Sequence, residues 1–156
     1  MDAECIEQAT DRAALEDARR LFVEYAESLG FSLCFQGFDR ELATLPGRYA
    51  PPRGRLLVAR VDGAPAGCVA VRELEPGIGE MKRLYVRPAF RGTGLGRRLA
   101  ERATAEAQAI GHRVLRLDTL PRMTTAIALY RKMGFREIAA YYDGAPPDAV
   151  CMEMPL

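Results

Sequence analysis

The sequence predicts a mixed α/β (α+β) fold in which a central, mostly antiparallel sheet of about six to seven strands carries about four helices. Three observations predict it. Apolar residues recur every three or four positions in long stretches and alternate in several short ones. These stretches run in the order strand, two helices, three strands, helix, strand, helix, two strands. The strand–helix–strand unit over 80–118 demands a parallel crossover, whereas the hairpin before it pairs antiparallel, so the sheet must be mixed. At 156 residues the chain fits one domain, 1–156.

Residues 5–8 read as a short first strand. Thr10 is placed to cap a helix running to Leu29, with Leu15, Ala18, Leu21, Phe22 and Tyr25 at helical spacing and Gly30 as its stop. A shorter helix is expected over 39–45, stopped by Pro46-Gly47, before an irregular stretch at Tyr49-Ala50-Pro51-Pro52 that could line a pocket. The runs 56–61 and 66–72 form a hairpin around Asp62-Gly63, and Pro76-Gly77 makes the next turn. In the strand over 80–86 the apolar alternation at Met81, Leu84 and Val86 breaks, which predicts a bulge. Leu95, Leu99, Ala103, Ala107 and Ile110 mark a helix capped by Gly111; a strand over 113–118 follows, then a helix over 123–133 stopped by Gly134. The runs 135–142 and 150–154 close the chain as strands.

Composition excludes several classes. Apolar residues make up 49% and charged residues 28%, enough to bury a core and far from the composition of a disordered chain. With 22 Lys and Arg against 21 Asp and Glu, the net charge of +1 gives no ground for nucleic-acid or membrane binding. The opening Met-Asp-Ala-Glu resembles no basic-then-apolar leader, and no apolar run is long enough to span a bilayer, so a cytoplasmic protein is expected. Cys5, Cys34, Cys68 and Cys151 are scattered singly and are read as packing residues with free thiols. With His112 as the only histidine, read here as a solvated cap residue, no metal site and no His-based nucleophile is expected.

The chemistry concentrates at Arg91-Gly92-Thr93-Gly94-Leu95-Gly96, between a strand ending in Arg87-Pro88 and a helix starting near Gly94. Free N–H groups at a helix start favour an anion, and residues without a Cβ let a phosphate approach the backbone. A Walker loop is excluded, because Arg97-Arg98 follows Gly96 where Lys and Ser or Thr are needed. A dinucleotide fingerprint fits poorly, because these glycines are spaced two apart and lie in mid-chain. A plain tight turn would account for one or two of the glycines but not for three interleaved with arginines.

These residues resemble the GNAT superfamily of acetyl-CoA-dependent N-acetyltransferases, whose signature [RQ]-x-x-G-x-[GA] is matched by Arg91, Gly94 and Gly96. The strand Met81-Lys82-Arg83-Leu84-Tyr85-Val86 and the later Leu129-Tyr130-Arg131-Lys132-Met133-Gly134-Phe135 resemble the family as well. The resemblance implies a sheet splayed near Val86 and acetyl-CoA as co-substrate. Its pyrophosphate would sit on Arg91, Gly92, Thr93, Gly94, Leu95 and Gly96, with Arg91 and Arg97 screening charge, and its pantetheine arm would lie along Leu84, Tyr85 and Val86. It further implies Tyr130 as the acid that protonates the departing thiolate, Glu80 as the base, and a backbone N–H such as that of Val86 for the oxyanion. A homodimer stays open. A small-molecule or peptide amine is the implied acceptor, attacking directly in a ternary complex. The aromatic-rich stretches 31–49 and Tyr141-Tyr142 are candidates to line its pocket, with Asp39 or Glu41 to attract it. A non-catalytic acyl-CoA-binding module is the alternative, and it would not need Tyr130 or Glu80.

Overall fold

In the computed structural model, which describes residues 3–30 and 37–156, thirteen elements follow the expected order, two of them single 3-10 turns. The strand β1 (Glu4–Gln8) leads into α1 (Arg12–Leu29), whose cap is Asp11 rather than Thr10. Its carboxylate accepts the Ala14 N–H at 2.8 Å and adds the negative charge that a helix N-terminus favours. Gly30, at φ 74, closes the helix. The next helix, α2 (Phe38–Ala43), stops two residues before the predicted end. Leu45 precedes Pro46 and is thereby disfavoured from helical backbone, and the chain instead makes a 3-10 turn over Gly47–Tyr49.

The strands β2 (Arg55–Val61), β3 (Ala64–Glu75) and β4 (Ile78–Val86) form an antiparallel meander. A 3-10 turn at Pro88–Phe90 then leads to α3 (Leu95–Ile110), β5 (Val114–Thr119), α4 (Thr124–Met133), β6 (Arg136–Ile138) and β7 (Val150–Pro155). The seven strands form one sheet in the order β1-β2-β3-β4-β5-β7-β6, antiparallel throughout except for β4 with β5. The predicted strand over 135–142 is therefore cut short at Ile138. Beyond it Tyr141 and Tyr142 leave the ladder to bond carboxylates on β4 and β5.

Each face of the sheet has its own core. Under α1 and α2 lie Leu21, Phe22, Phe38, Tyr49, Leu56 and Val58; under α3 and α4 lie Leu57, Val69, Val71, Leu99, Leu117 and Met152. Two further expectations change. His112 is buried, its ring packed so closely on Gly79 that a Cβ there would come within 2.8 Å of it. Among the cysteines, Cys68 and Cys151 are buried packing residues, Cys5 is exposed on the edge strand, and Cys34 lies outside the described residues. No helix among the described residues is long and apolar enough to cross a membrane.

Candidate active site

The site begins as a gap in the sheet. β4 pairs with β3 along most of its length, but with β5 only where Ile78, Gly79 and Glu80 face Val114, Leu115 and Arg116. Beyond Glu80 the two strands part. The break in alternation that predicts a bulge is one: Lys82 faces Ala70 and Tyr85 faces Cys68, so Arg83 and Leu84 together oppose Val69. Arg83 takes a left-handed φ of 61, a conformation that costs a non-glycine residue roughly 1–3 kcal/mol. Its guanidinium is anchored by two hydrogen bonds of 2.9 Å to the Glu41 carboxylate and lies 5.2 Å from the Phe38 ring centroid. The Cys68 thiol donates to the Arg83 carbonyl at 3.3 Å.

The bulge and the parting leave backbone groups facing the gap. The Arg87 N–H is spent on Ala66 O at 2.8 Å, so by ladder alternation the neighbouring Val86 directs its N–H and C=O to the β5 side. There the Val86 carbonyl accepts from Arg91 Nε at 2.9 Å, which ties the glycine turn to the strand end. Leu84 and Val86 turn their side chains to the α3/α4 core. Tyr85 does not join them: its ring lies on the α1 face, 6.3 Å from that of Tyr25.

The turn itself is a backbone device. Gly92 and Gly94 sit at φ 80 and 84, where a side chain would strain the chain. Gly94 caps α3 without a side chain, and the first intrahelical bond is donated by Arg98 to Gly94 O at 3.1 Å, so the N–H groups of Leu95, Gly96 and Arg97 precede the ladder. At Gly96 a Cβ would meet only the Val86 side chain, at an ordinary 3.7 Å; the bare position keeps the helix start open rather than relieving a clash. The Leu95 side chain is core, and Thr93 Oγ1 donates to Phe90 O at 2.9 Å. Arg97 lies on the outer surface, paired with Glu101 at 2.6 Å, while Arg98 grips both oxygens of Glu4 at 2.6 Å.

A cavity of about 80 Å³ crosses the sheet where β4 and β5 part. Met81, Leu117 and Tyr130 line it from the α3/α4 core, and Tyr25 and Leu29 from α1 on the other face. Tyr130 is buried, its ring edge-on to Phe135, and burial pushes its phenol pKa up, so the hydroxyl holds its proton. On the α1/α2 face lies a roomier pocket of about 140 Å³ walled by Arg72, Glu80, Tyr141 and Tyr142. The two spaces share Lys82 and Arg83.

Glu80 is the hub of that second pocket and is only 1% exposed. Its Oε1 accepts from Arg72 Nε at 2.7 Å with Lys82 Nζ at 3.9 Å, and its Oε2 accepts from Tyr141 OH at 2.6 Å. Burial pushes the carboxyl pKa up, but the charges of Lys82 and Arg72 and the bonds from Tyr141 and Arg72 outweigh it and hold the pKa below the ordinary value. Both oxygens are thus engaged within the protein. Glu41, expected to attract an amine, is instead committed to Arg83, and Asp39 is exposed outside the pocket. Tyr141 and Tyr142, the sequence's candidates for an acceptor pocket, line this space, whereas residues 31–36 lie outside the described part of the chain. The sequence does not single out Arg72, Lys82 or Asp118, which line these spaces. For Asp118 one signal exists: it stands near the C-terminal end of a strand parallel to β4, the end at which such strands present ligand-binding groups. Among the described residues no cluster of His, Cys, Asp or Glu suits a metal ion.

A parted pair of parallel strands, a glycine turn opening a helix, and a cavity lined from both faces of the sheet come together around the outer half of β4. Residues 14–135 match the acetyltransferase (GNAT) family. An uncharacterised N-acetyltransferase of Schizosaccharomyces pombe is 41% identical over 142 residues, covering 90% of this chain and 87% of that protein. An IAA acetyltransferase of Azospirillum brasilense is 45% identical over 109 residues, covering 69% of this chain and 71% of its own. A Salmonella typhimurium acetyltransferase solved with its cofactor acetyl-CoA shares the fold at a TM-score of 0.70 and 21% identity, over 99% of this chain and 94% of that one. The chain belongs to the GNAT family of acetyltransferases and is an acyl-transfer enzyme.

Proposed function

We propose that the enzyme moves the acetyl group of acetyl-CoA to a primary amine by direct attack in a ternary complex. The observation that carries this reading is the cavity crossing the sheet where β4 and β5 part. A thioester reaching it from the α3/α4 face and an amine reaching it from the α1/α2 face meet without a covalent enzyme intermediate.

The residues present fit acetyl-CoA. Its pyrophosphate suits the N–H groups of the 91–96 turn, where the α3 dipole favours negative charge. Arg91, beside the turn, adds positive charge. The pantetheine arm has room to lie along Leu84, Tyr85 and Val86, the length of β4 that β5 leaves without a strand partner. On collapse of the tetrahedral adduct the C–S bond breaks with its electron pair on sulfur, and the Tyr130 hydroxyl supplies the proton. In this reading the Val86 N–H, directed to the β5 side, stabilises the oxyanion. Glu80, expected from the sequence as the proton acceptor, serves this reading as the post that holds Arg72 and Tyr141 in the acceptor wall.

Calorimetric titration with acetyl-CoA, CoA and ATP tests the reading, repeated on Gly94→Trp. That substitution puts a bulky side chain at φ 84 with its Cβ 2.8 Å from Arg98 Nη1. Acetyl-CoA is expected to bind, ATP to bind far more weakly, and the variant to lose at least about 100-fold in acetyl-CoA affinity, roughly 2.7 kcal/mol. A folded wild type that ignores acetyl-CoA, or binds ATP as well, overturns it.

A further inference from the structure

With both Glu80 oxygens committed to Arg72 and Tyr141, the proton released by the attacking amine needs another destination. Asp118 is a carboxylate at the opening itself. Arg116 is in register with Glu80, and Asp118 stands two residues further along β5, so both project to the α1/α2 face while Leu117 between them enters the opposite core. The Arg116 guanidinium lies 5.4 Å from the ring centroid of Tyr141, the same tyrosine that binds Glu80, which places these groups on one face. Asp118 also lines the crossing cavity together with Tyr130.

The geometry of the carboxylate is asymmetric. Tyr142 OH donates to Oδ2 at 2.7 Å, while Oδ1 receives no hydrogen bond from a described residue. One oxygen is fixed by Tyr142 and the other is left without a hydrogen bond by the described residues, in a side chain that lines the cavity. We propose that Asp118 is the proton acceptor of the transfer, with Tyr142 as the residue that positions it. This rests on the acetyltransferase reading above.

The lone pair of the neutral amine forms the C–N bond, and the carbonyl π pair moves to oxygen. The cationic nitrogen of the adduct, far more acidic than a free ammonium, gives its proton to Asp118 Oδ1. The oxyanion reforms the carbonyl, the C–S bond breaks with its pair on sulfur, and sulfur takes the Tyr130 proton. The phenolate is then reprotonated from Asp118 through solvent, so amide and free thiol are the only products. Tyr130 and Asp118 would thus work on one cavity from opposite faces of the sheet.

The test follows thiol release from acetyl-CoA with a panel of benzylamine, ethanolamine, L-lysine and spermidine, and carries the best acceptor into D118N, D118E and Y142F. The amide of D118N keeps the shape and an acceptor for Tyr142 but not the basicity, so kcat for this variant is expected to fall about 100-fold while acetyl-CoA affinity by calorimetry holds within about twofold. D118E is expected to recover about tenfold of that loss, and Y142F to lose about tenfold in kcat with KM little changed. A D118N enzyme within about threefold of wild-type kcat overturns the assignment, and so does a D118N enzyme that fails to bind acetyl-CoA, because Asp118 would then serve the cofactor pocket. Wild type that releases no thiol with any of these amines removes the amine-transfer reading and this assignment with it. An active wild type with an unimpaired D118N removes this assignment alone.

Discussion

The two sides of the β4–β5 opening are built by different means. On the α3 side the groups on offer are backbone: two glycines at positive φ, three N–H groups ahead of a helical ladder, and a strand end whose Val86 faces outward because Arg87 is already paired. Every contributing residue lies within a dozen positions of the next. On the α1/α2 side the surface is made of charged and phenolic side chains that meet from distant parts of the chain. Glu80 joins Tyr141 across 61 residues, Arg83 joins Glu41 across 42, and Asp118 joins Tyr142 across 24. A backbone cradle tolerates drift in side chains and suits a ligand that stays the same; a side-chain network is reshaped by single substitutions and suits an acceptor that differs between enzymes.

The strongest way to break this contrast is Arg83→Ala. The Arg83 side chain is 3% exposed, and its loss strands the Glu41 carboxylate beside the strained bulge. Breaking a buried pair by removing one partner costs about 3–5 kcal/mol, and a fall of that size is expected in urea unfolding. A loss below about 1 kcal/mol would mean that the network does not hold the acceptor face.

Tyr130→Phe isolates the chemistry on the cofactor side. It removes one oxygen from a ring that stays packed on Phe135, so kcat is expected to fall about 100-fold with acetyl-CoA affinity unchanged. Parallel losses in kcat and binding would instead make the hydroxyl part of the cradle.

A smaller effect sharpens the acceptor side. Because the Glu80 carboxyl pKa is held below its ordinary 4.5 in the fold, its stabilising contribution is fully present above that value and is lost as pH falls through the lower, folded one. Thermal unfolding of Glu80→Gln should therefore lie below wild type by a constant margin above about pH 5.5, and the margin should shrink on acidification below about pH 4.5. A gap independent of pH across that window would show the carboxylate charge to be immaterial.

The smallest effect is expected at Arg97, whose side chain is 70% exposed and paired along the helix with Glu101. Arg97→Ala should change stability by no more than about 0.5 kcal/mol and acetyl-CoA affinity by no more than about threefold. A tenfold loss of affinity would bring this arginine into the phosphate site alongside the backbone.

What is legible in the sequence follows the same division. The glycine turn can be read because positive φ demands glycine, and the order of elements follows because periodicity and caps act within a few residues. The bulge shows itself as broken alternation at Lys82-Arg83. Misreadings arise where a distant partner intervenes. Local pattern extends the strand after α4 to Tyr142, but the pull of Glu80 and Asp118 on two phenols takes those residues out of the sheet. His112 reads as solvated because nothing local shows that the bare Gly79 makes room for its ring. Glu41 reads as an amine attractor because its pairing with Arg83 depends on how α2 packs.

By itself, then, the sequence determined the mixed fold, the strand–turn–helix carrying Arg91, Gly94 and Gly96, and Tyr130 on the helix after β5, since each rests on conformational preferences that a short segment expresses alone. Only the tertiary structure decided where β4 and β5 part, that both oxygens of Glu80 are engaged, and that Asp118 shares a cavity with Tyr130. Those outcomes depend on pairings between segments far apart in the chain, whose partners are chosen by the packing of the whole core and carry no mark in the local residues.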